Sequence, residues 1–178
     1  MTANSVGNTA VIQPVAVVKI GGFKLRALLD SGASQSYASS TAIELIKVRP
    51  KSTGLRQIAM LTGITKRTMQ VYTVCITCAA GDFKVDVDIT KENQRELLFL
   101  ENPGYKQVIE ANPHLKGVRM EDDDTKKMLP VHTVLGANDF AKILTVERLR
   151  VGRRGDPLTE LTRFGWTIMS PGADVVCS

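Results

Sequence analysis

The sequence predicts a mostly β fold, a barrel or sandwich of short strands with a few short helices. Three observations carry this. Several apolar runs are only about five to eight residues long and are joined by Gly-rich or Asp/Thr-rich turns. One segment, Phe83–Thr90, alternates strictly, with Phe83, Val85, Val87 and Ile89 on one face and Lys84, Asp86 and Asp88 on the other. Only two stretches read as helix, and both are short, which argues against a doubly wound sheet.

In chain order, residues 1–10 are small and polar and read as a loose lead-in. VAVVKI and FKLRALLD flank Gly21-Gly22, a two-residue turn that tolerates positive φ, so they read as a β-hairpin ending at Asp30. Thr41-Ala-Ile-Glu44 reads as a capping box opening a helix to about Val48, stopped by Pro50. RQIAML and TMQVYTVCITC read as strands around Thr62–Thr65. Residues 91–130, punctuated by Pro103, Gly104, Pro113 and Gly117, read as a long excursion within a single domain spanning 11–178. Val131–Leu135 is a strand, Gly136 a break, and Asn138–Leu144 a helix capped by Asn138. Val146–Val151 and Leu161–Ser170 are two further strand-like runs.

The chain has 178 residues, 43% hydrophobic and 23% charged, enough for a buried core. Its formal net charge of +5 permits weak attraction to acidic surfaces without requiring it, and 5% aromatic content argues against a base-stacking nucleic-acid platform. No apolar run is long enough to span a membrane, and the first ten residues lack the pattern of a secretory signal. Three cysteines argue against a disulfide framework and fit a reducing compartment.

The chemistry concentrates at Asp30. An apolar strand delivers one carboxylate into the turn Asp30-Ser31-Gly32-Ala33-Ser34. Gly32 permits close approach of another chain, and the hydroxyls of Ser31 and Ser34 can brace the turn. A rigid carboxylate is a candidate general acid or base. Activating water against an amide takes two carboxylates sharing a proton, and no second Asp-Ser/Thr-Gly occurs here. Asp139 and Asp174 lack that context. The missing half is therefore expected from a second copy across a two-fold axis.

ALLDSGAS resembles the active-site motif of retropepsins, the homodimeric aspartic proteases of retroviruses and retrotransposons. TVLGANDF, about a hundred residues on, resembles the family's second hallmark. LTRFGWTIMSPG, with the long stretch before the hallmark, is similar to proteases of Pao/BEL-type retrotransposons, so the resemblance runs from about Val15 to Gly172. It implies a closed acid-protease barrel, one lobe per chain, and an aspartic endopeptidase that processes its own Gag-Pol polyprotein as a homodimer. Its place would be the cytoplasm, within virus-like particles. It implies no cofactor or metal, no membrane, and no specific nucleic acid. Asp30 would be catalytic. Ser31 would bond across the dimer, and Gly32 and Ala33 would offer backbone groups to substrate. Met60-Leu61-Thr62-Gly63-Ile64 would be a flap with Gly63 as its tip. Val134-Leu135-Gly136 would be the hallmark strand, with Leu28, Val134 and Leu135 as core or pocket walls. A shared-proton dyad favours mildly acidic conditions.

Two rivals remain at this level. One is the same fold without activity, as a precursor or domesticated form. The other is a zinc or RNA-binding module built on Cys75, Cys78, His114, His132 and the Arg148, Arg150, Arg153, Arg154 cluster. Residues three apart on a strand face opposite ways, so Cys75 and Cys78 are expected to be buried apolar residues. The arginines are expected in an exposed hairpin, Arg154-Gly-Asp156 as a chance match to an adhesion tripeptide, and Trp166 as packing. Glu121–Asp124 is expected to be a solvated loop balanced by Lys116, Arg119, Lys126 and Lys127.

Overall fold

Strand β1 (Val15–Ile20) and strand β2 (Phe23–Leu29) form the expected hairpin, and the turn residues Gly21 and Gly22 have φ of 58° and 82°. Both values lie where only glycine is unstrained, and this turn twists with the strands it joins. The computed structural model describes residues 11–172, so the lead-in at 1–10, Asp174 and Cys177 lie outside the described residues.

Short β3 (Ser36–Ala38) follows the Asp30 turn, and α1 (Ser40–Ile46) follows β3. The capping box expected at Thr41 does not form. Ser39 is the cap, its Oγ accepting from the Ala42 N–H at 3.1 Å, and the helix ends at Lys47 in left-handed geometry before Pro50 is reached. Strands β4 (Ser52–Met60) and β5 (Gly63–Cys78) pair in register from Ser52↔Val71 to Met60↔Gly63, so the turn is Leu61-Thr62 rather than 62–65. Strand β5 changes role along its length. Its residues through Thr68 are exposed and belong to an arm with β4, whereas Met69, Val71, Tyr72, Val74 and Ile76 are buried. The alternating segment becomes β6 (Lys84–Lys91), with Val87 and Ile89 buried and Lys84, Asp86 and Asp88 exposed, as its pattern dictates.

The excursion is structured. It holds β7 (Leu98–Glu101), α2 (Tyr105–Ala111), a 3-10 turn at Pro113–Leu115, and β8 (Met128–Val131), which pairs with β7. The expected strand Val131–Leu135 is divided at His132, its second part being β9 (Thr133–Leu135). Then comes α3 (Ala137–Ile143), whose N-cap is Gly136 without a side-chain cap, so Asn138 is not the cap. Val146–Val151 is not a strand: apart from an isolated bridge between Arg150 and Thr159 it runs unpaired. The run Leu161–Ser170 is broken by a turn at Arg163-Phe164. It belongs to the hairpin β10 (Leu158–Thr162) and β11 (Gly165–Met169).

The main sheet runs β1-β2-β9-β3-β6-β5-β4, and β1 also pairs with β5, so the first six strands close into a ring and β4 projects beyond it. Inside the ring lie Val18, Ile20, Ala27, Ile76, Ile89 and Leu135, all at most 1% exposed. A second apolar cluster joins Tyr105, Leu115 and Val118 of the excursion to Ile12 and Ile168, with Trp166 against it. The excursion thus has its own apolar anchor, which is why it stays ordered over so many residues. Among the described residues, no helix is long and apolar enough to cross a membrane.

Candidate active site

Strand β2 pairs parallel with β9, Leu28 opposite Val134 and Leu29 opposite Leu135. Strand β9 is flanked on its other side by β3, Tyr37 opposite Val134. The segment Asp30–Gln35 is therefore a loop between two strands that both lie against β9. Its backbone is tied down: the Asp30 N–H donates to the Leu135 carbonyl (3.0 Å), the Ala33 N–H to the Asp30 carbonyl (3.2 Å), and the Ala137 N–H to the Ala33 carbonyl (2.8 Å). Asn138 Nδ2 donates to the Ser34 carbonyl at 3.3 Å.

The Asp30 side chain is exposed, and its Oδ1 accepts the Gly32 N–H at 2.9 Å. A backbone donor to the ionised oxygen fixes its orientation and leaves the other oxygen free for water or a second carboxyl group. Ser31, Gly32 and Ser34 are exposed and Ala33 is half-buried. Leu135 is fully buried, Val134 half-buried, and Leu28 lines the pocket beside Asp30.

Gly136 is required by space. A Cβ there would meet the Gln35 oxygen at 2.5 Å and the Ala33 oxygen at 2.8 Å. Beneath it, the buried Ser36 hydroxyl accepts the Gly136 N–H (3.0 Å) and donates to Asp139 Oδ2, while Lys142 pairs with Asp139 Oδ1 at 2.8 Å. A buried carboxylate with both oxygens matched is tolerated and stiffens what it joins, here the loop's exit and the start of α3. Sequence reasoning missed Ser36 and the role of Asp139. Asp139 was legible only as an acid three residues after a glycine.

Met60, Leu61, Thr62 and Ile64 lie at the exposed end of the β4–β5 arm, Leu61 at 109% exposure, and Gly63 (φ 137°) is the first residue after the turn rather than its tip. The arm meets the site's flank through Arg56, which lines a polar groove of about 430 Å³ with Gln35, Asn138 and Asp139. On the other flank, Asp30 and Ser31 border an apolar pocket of about 550 Å³ walled by Leu98 and Leu100 of β7 and by Leu149, Leu158 and Met169. The excursion and tail therefore reach the site, which the sequence did not reveal.

The remaining candidates are dispersed. Cys75 is exposed on β5, contrary to the burial expected of it. Its side of the strand faces outward with Thr73, and only Cys78 packs against the core. Among the described residues, no three His, Cys, Asp or Glu side chains are grouped as a metal site requires. His114 Nε2 bonds the Pro157 carbonyl, and His132 Nδ1 bonds Ser39 Oγ at 2.8 Å. The four arginines lie in the loop after α3 and not in a hairpin. Arg150 stacks over Trp166 at 4.8 Å, and Asp156 caps the Arg153 N–H.

The acidic loop is not simply solvated. Asp122 and Asp124 bind Arg26 of β2, with contacts of 2.6, 2.9 and 2.8 Å, and Asp122 is only 7% exposed. The nearby lysines contribute one pairing, Lys126 to Asp124. In comparisons with known proteins, no family model matches the chain and no curated protein matches it.

Proposed function

We propose that the chain is one half of a homodimeric aspartic endopeptidase of retropepsin type, acting on a retrotransposon Gag-Pol polyprotein of the Pao/BEL kind. The observation that carries the reading is the setting of Asp30. It is an exposed carboxylate at the end of a buried strand, its backbone N–H donating to the Leu135 carbonyl and its Oδ1 accepting from the Gly32 N–H, on a loop braced from β9 and α3. The closed ring of strands supports the finer description as an acid-protease lobe.

In the proposed mechanism two Asp30 side chains face each other and share one proton, because adjacent carboxylates resist double ionisation. The ionised one removes a proton from water as the water oxygen attacks the peptide carbonyl carbon. The protonated one delivers its proton to the carbonyl oxygen. On collapse the carboxyl that took the water proton gives it to the departing amine nitrogen as the C–N bond breaks, and the other carboxylate takes back a proton from a hydroxyl of the tetrahedral carbon, restoring the shared-proton pair. The β4–β5 arm, tipped by Leu61, closes over an extended peptide and excludes bulk water.

The test is cleavage of a precursor fragment spanning the chain's own termini, by the wild type, by Asp30→Asn, and with a general aspartic-protease inhibitor. Loss of cleavage in the variant and with the inhibitor is expected. Persistent cleavage by Asp30→Asn sinks the assignment.

A further inference from the structure

The pocket beside Asp30 is a largely apolar socket lined by two carboxylates, Asp30 itself and Glu160. Its walls are leucines of β7 and of the tail, with Met169, and Glu160 lines it without an ion pair among the described residues. Next to it runs the segment 144–151, fastened to the β10 strand at its two ends by the Leu144–Thr162 and Arg150–Thr159 bridges and unpaired between them. Its Leu149 is part of the pocket's own wall, while Val146 at 103% and Val151 at 62% face solvent. It also carries Arg148, exposed and without an ion pair among the described residues.

One molecule thus presents a greasy socket bearing negative charge and, beside it, a greasy segment whose Arg148 and Arg150 outnumber Glu147. A two-fold interface uses each such pair twice, because socket meets segment on both sides of the axis.

We propose that the pocket is occupied by the 144–151 segment of a second copy, with that copy's Val146 against the leucine walls and its Arg148 on Glu160. This rests on the homodimer reading and adds the surface that selects the partner. A second copy fits better than a substrate side chain for two reasons. The pocket includes Ser31 and Asp30, which a shared dyad brings to the axis, so the copy itself is what arrives there. The charge matching Glu160 is carried by this same chain. Rim charge pairs set partner choice and association more than total affinity, so reversal of one sign is the sensitive probe.

Sedimentation of the full chain over a wide concentration range tests this, comparing wild type, Glu160→Arg, Arg148→Glu, the charge-swapped double variant, and Val146→Asp. A wild-type dimer is expected. Each single reversal should weaken it at least about tenfold, and the double variant should recover most of the loss. Val146→Asp, changing a fully exposed side chain, should be monomeric, with the unfolding midpoint that wild type shows when diluted to monomer. A wild-type dimer indifferent to all these changes overturns the proposed contact and leaves the dimer reading standing. A wild type monomeric at every concentration overturns both. Variants that stay dimeric but cleave poorly place substrate or chemistry at Glu160 and overturn the contact.

Discussion

A methyl group on Gly136 would lie 2.5 Å from the carbonyl oxygen of Gln35. The backbone of Gly136 is extended (φ −83°), so the demand is for space and not for unusual torsion. The atoms in the way are backbone, and they belong to the loop that carries Asp30. Gly136→Ala must push that loop off β9. Overpacking of this kind costs about 1–3 kcal/mol. The expected outcome is a lowered urea midpoint together with a loss of cleavage larger than the stability loss explains. An alanine variant of normal stability and activity would show that the loop yields freely.

Ser36 joins that loop to α3 through one hydroxyl that accepts from Gly136 and donates to Asp139. Ser36→Ala leaves a buried carboxylate oxygen without its donor, and an orphaned buried acceptor costs about 1–3 kcal/mol. Thr133 offers the opposite case. It is fully buried on β9, and its hydroxyl has no protein partner among the described residues. Thr133→Val removes that polar group at nearly constant volume and is expected to be neutral or stabilising by up to about 1 kcal/mol. Chemical denaturation of both variants checks the pair; equal costs would refute the distinction.

What could be read beforehand followed the strength of the local signal. The β1–β2 hairpin, β6 and the Asp30 turn announce themselves through Gly-Gly, strict alternation and an apolar run ending in Asp-Ser-Gly. The helix caps were misplaced at Thr41 and Asn138. A cap is decided by which oxygen reaches an N–H, and Ser39 reached Ala42 first. Val146–Val151 has strand composition but no neighbour within the described residues to pair with beyond one bridge. The second apolar cluster ties the excursion to Ile12 near one end of the described chain and Ile168 near the other, and the Arg26 contact spans 96 positions. No local pattern encodes such partners, so residues 91–130 read only as an excursion and not as a wall of the pocket beside Asp30.

Arg26 anchors that wall. It sits on β2, four residues before Asp30, and holds the loop whose Asp124 carbonyl accepts from Asn102, next to β7. The Lys126 N–H and Arg26 bring the Asp124 carboxyl down to about 2. Burial lowers the Arg26 affinity for its proton, but Asp122 and Asp124 outweigh it and leave that affinity raised. Arg26→Met strands the largely buried Asp122. The expected cost lies between the ~1 kcal/mol of an exposed pair and the ~3 kcal/mol or more of a buried one. Because the Asp124 carboxyl is depressed in the folded state, its stabilising part is complete above the ordinary value of 3.8. That part fades as pH falls from there toward about 2. Faster hydrogen exchange across 98–101 and 121–127 in Arg26→Met is the signature; protection equal to wild type would refute the anchor.

His132 sets a limit on the acid side that is reached sooner. Burial pushes its imidazole below the ordinary 6.5, although Glu96 and the Arg95 carbonyl pull the other way. Its Nδ1 bonds Ser39 Oγ, the same oxygen that accepts from the Ala42 N–H at the start of α1. Above 6.5 both folded and unfolded chains hold His132 neutral, and it adds no pH dependence. As pH falls through 6.5 the unfolded chain takes up a proton that the folded chain resists, so stability declines until the lower folded value is passed. An enzyme of the proposed kind works best in mild acid, so part of its stability is given up in its working range. His132→Asn, which has no proton to gain, is expected to flatten the fall in unfolding free energy between about pH 7 and 5. Parallel wild-type and variant curves across that interval would remove His132 as the cause.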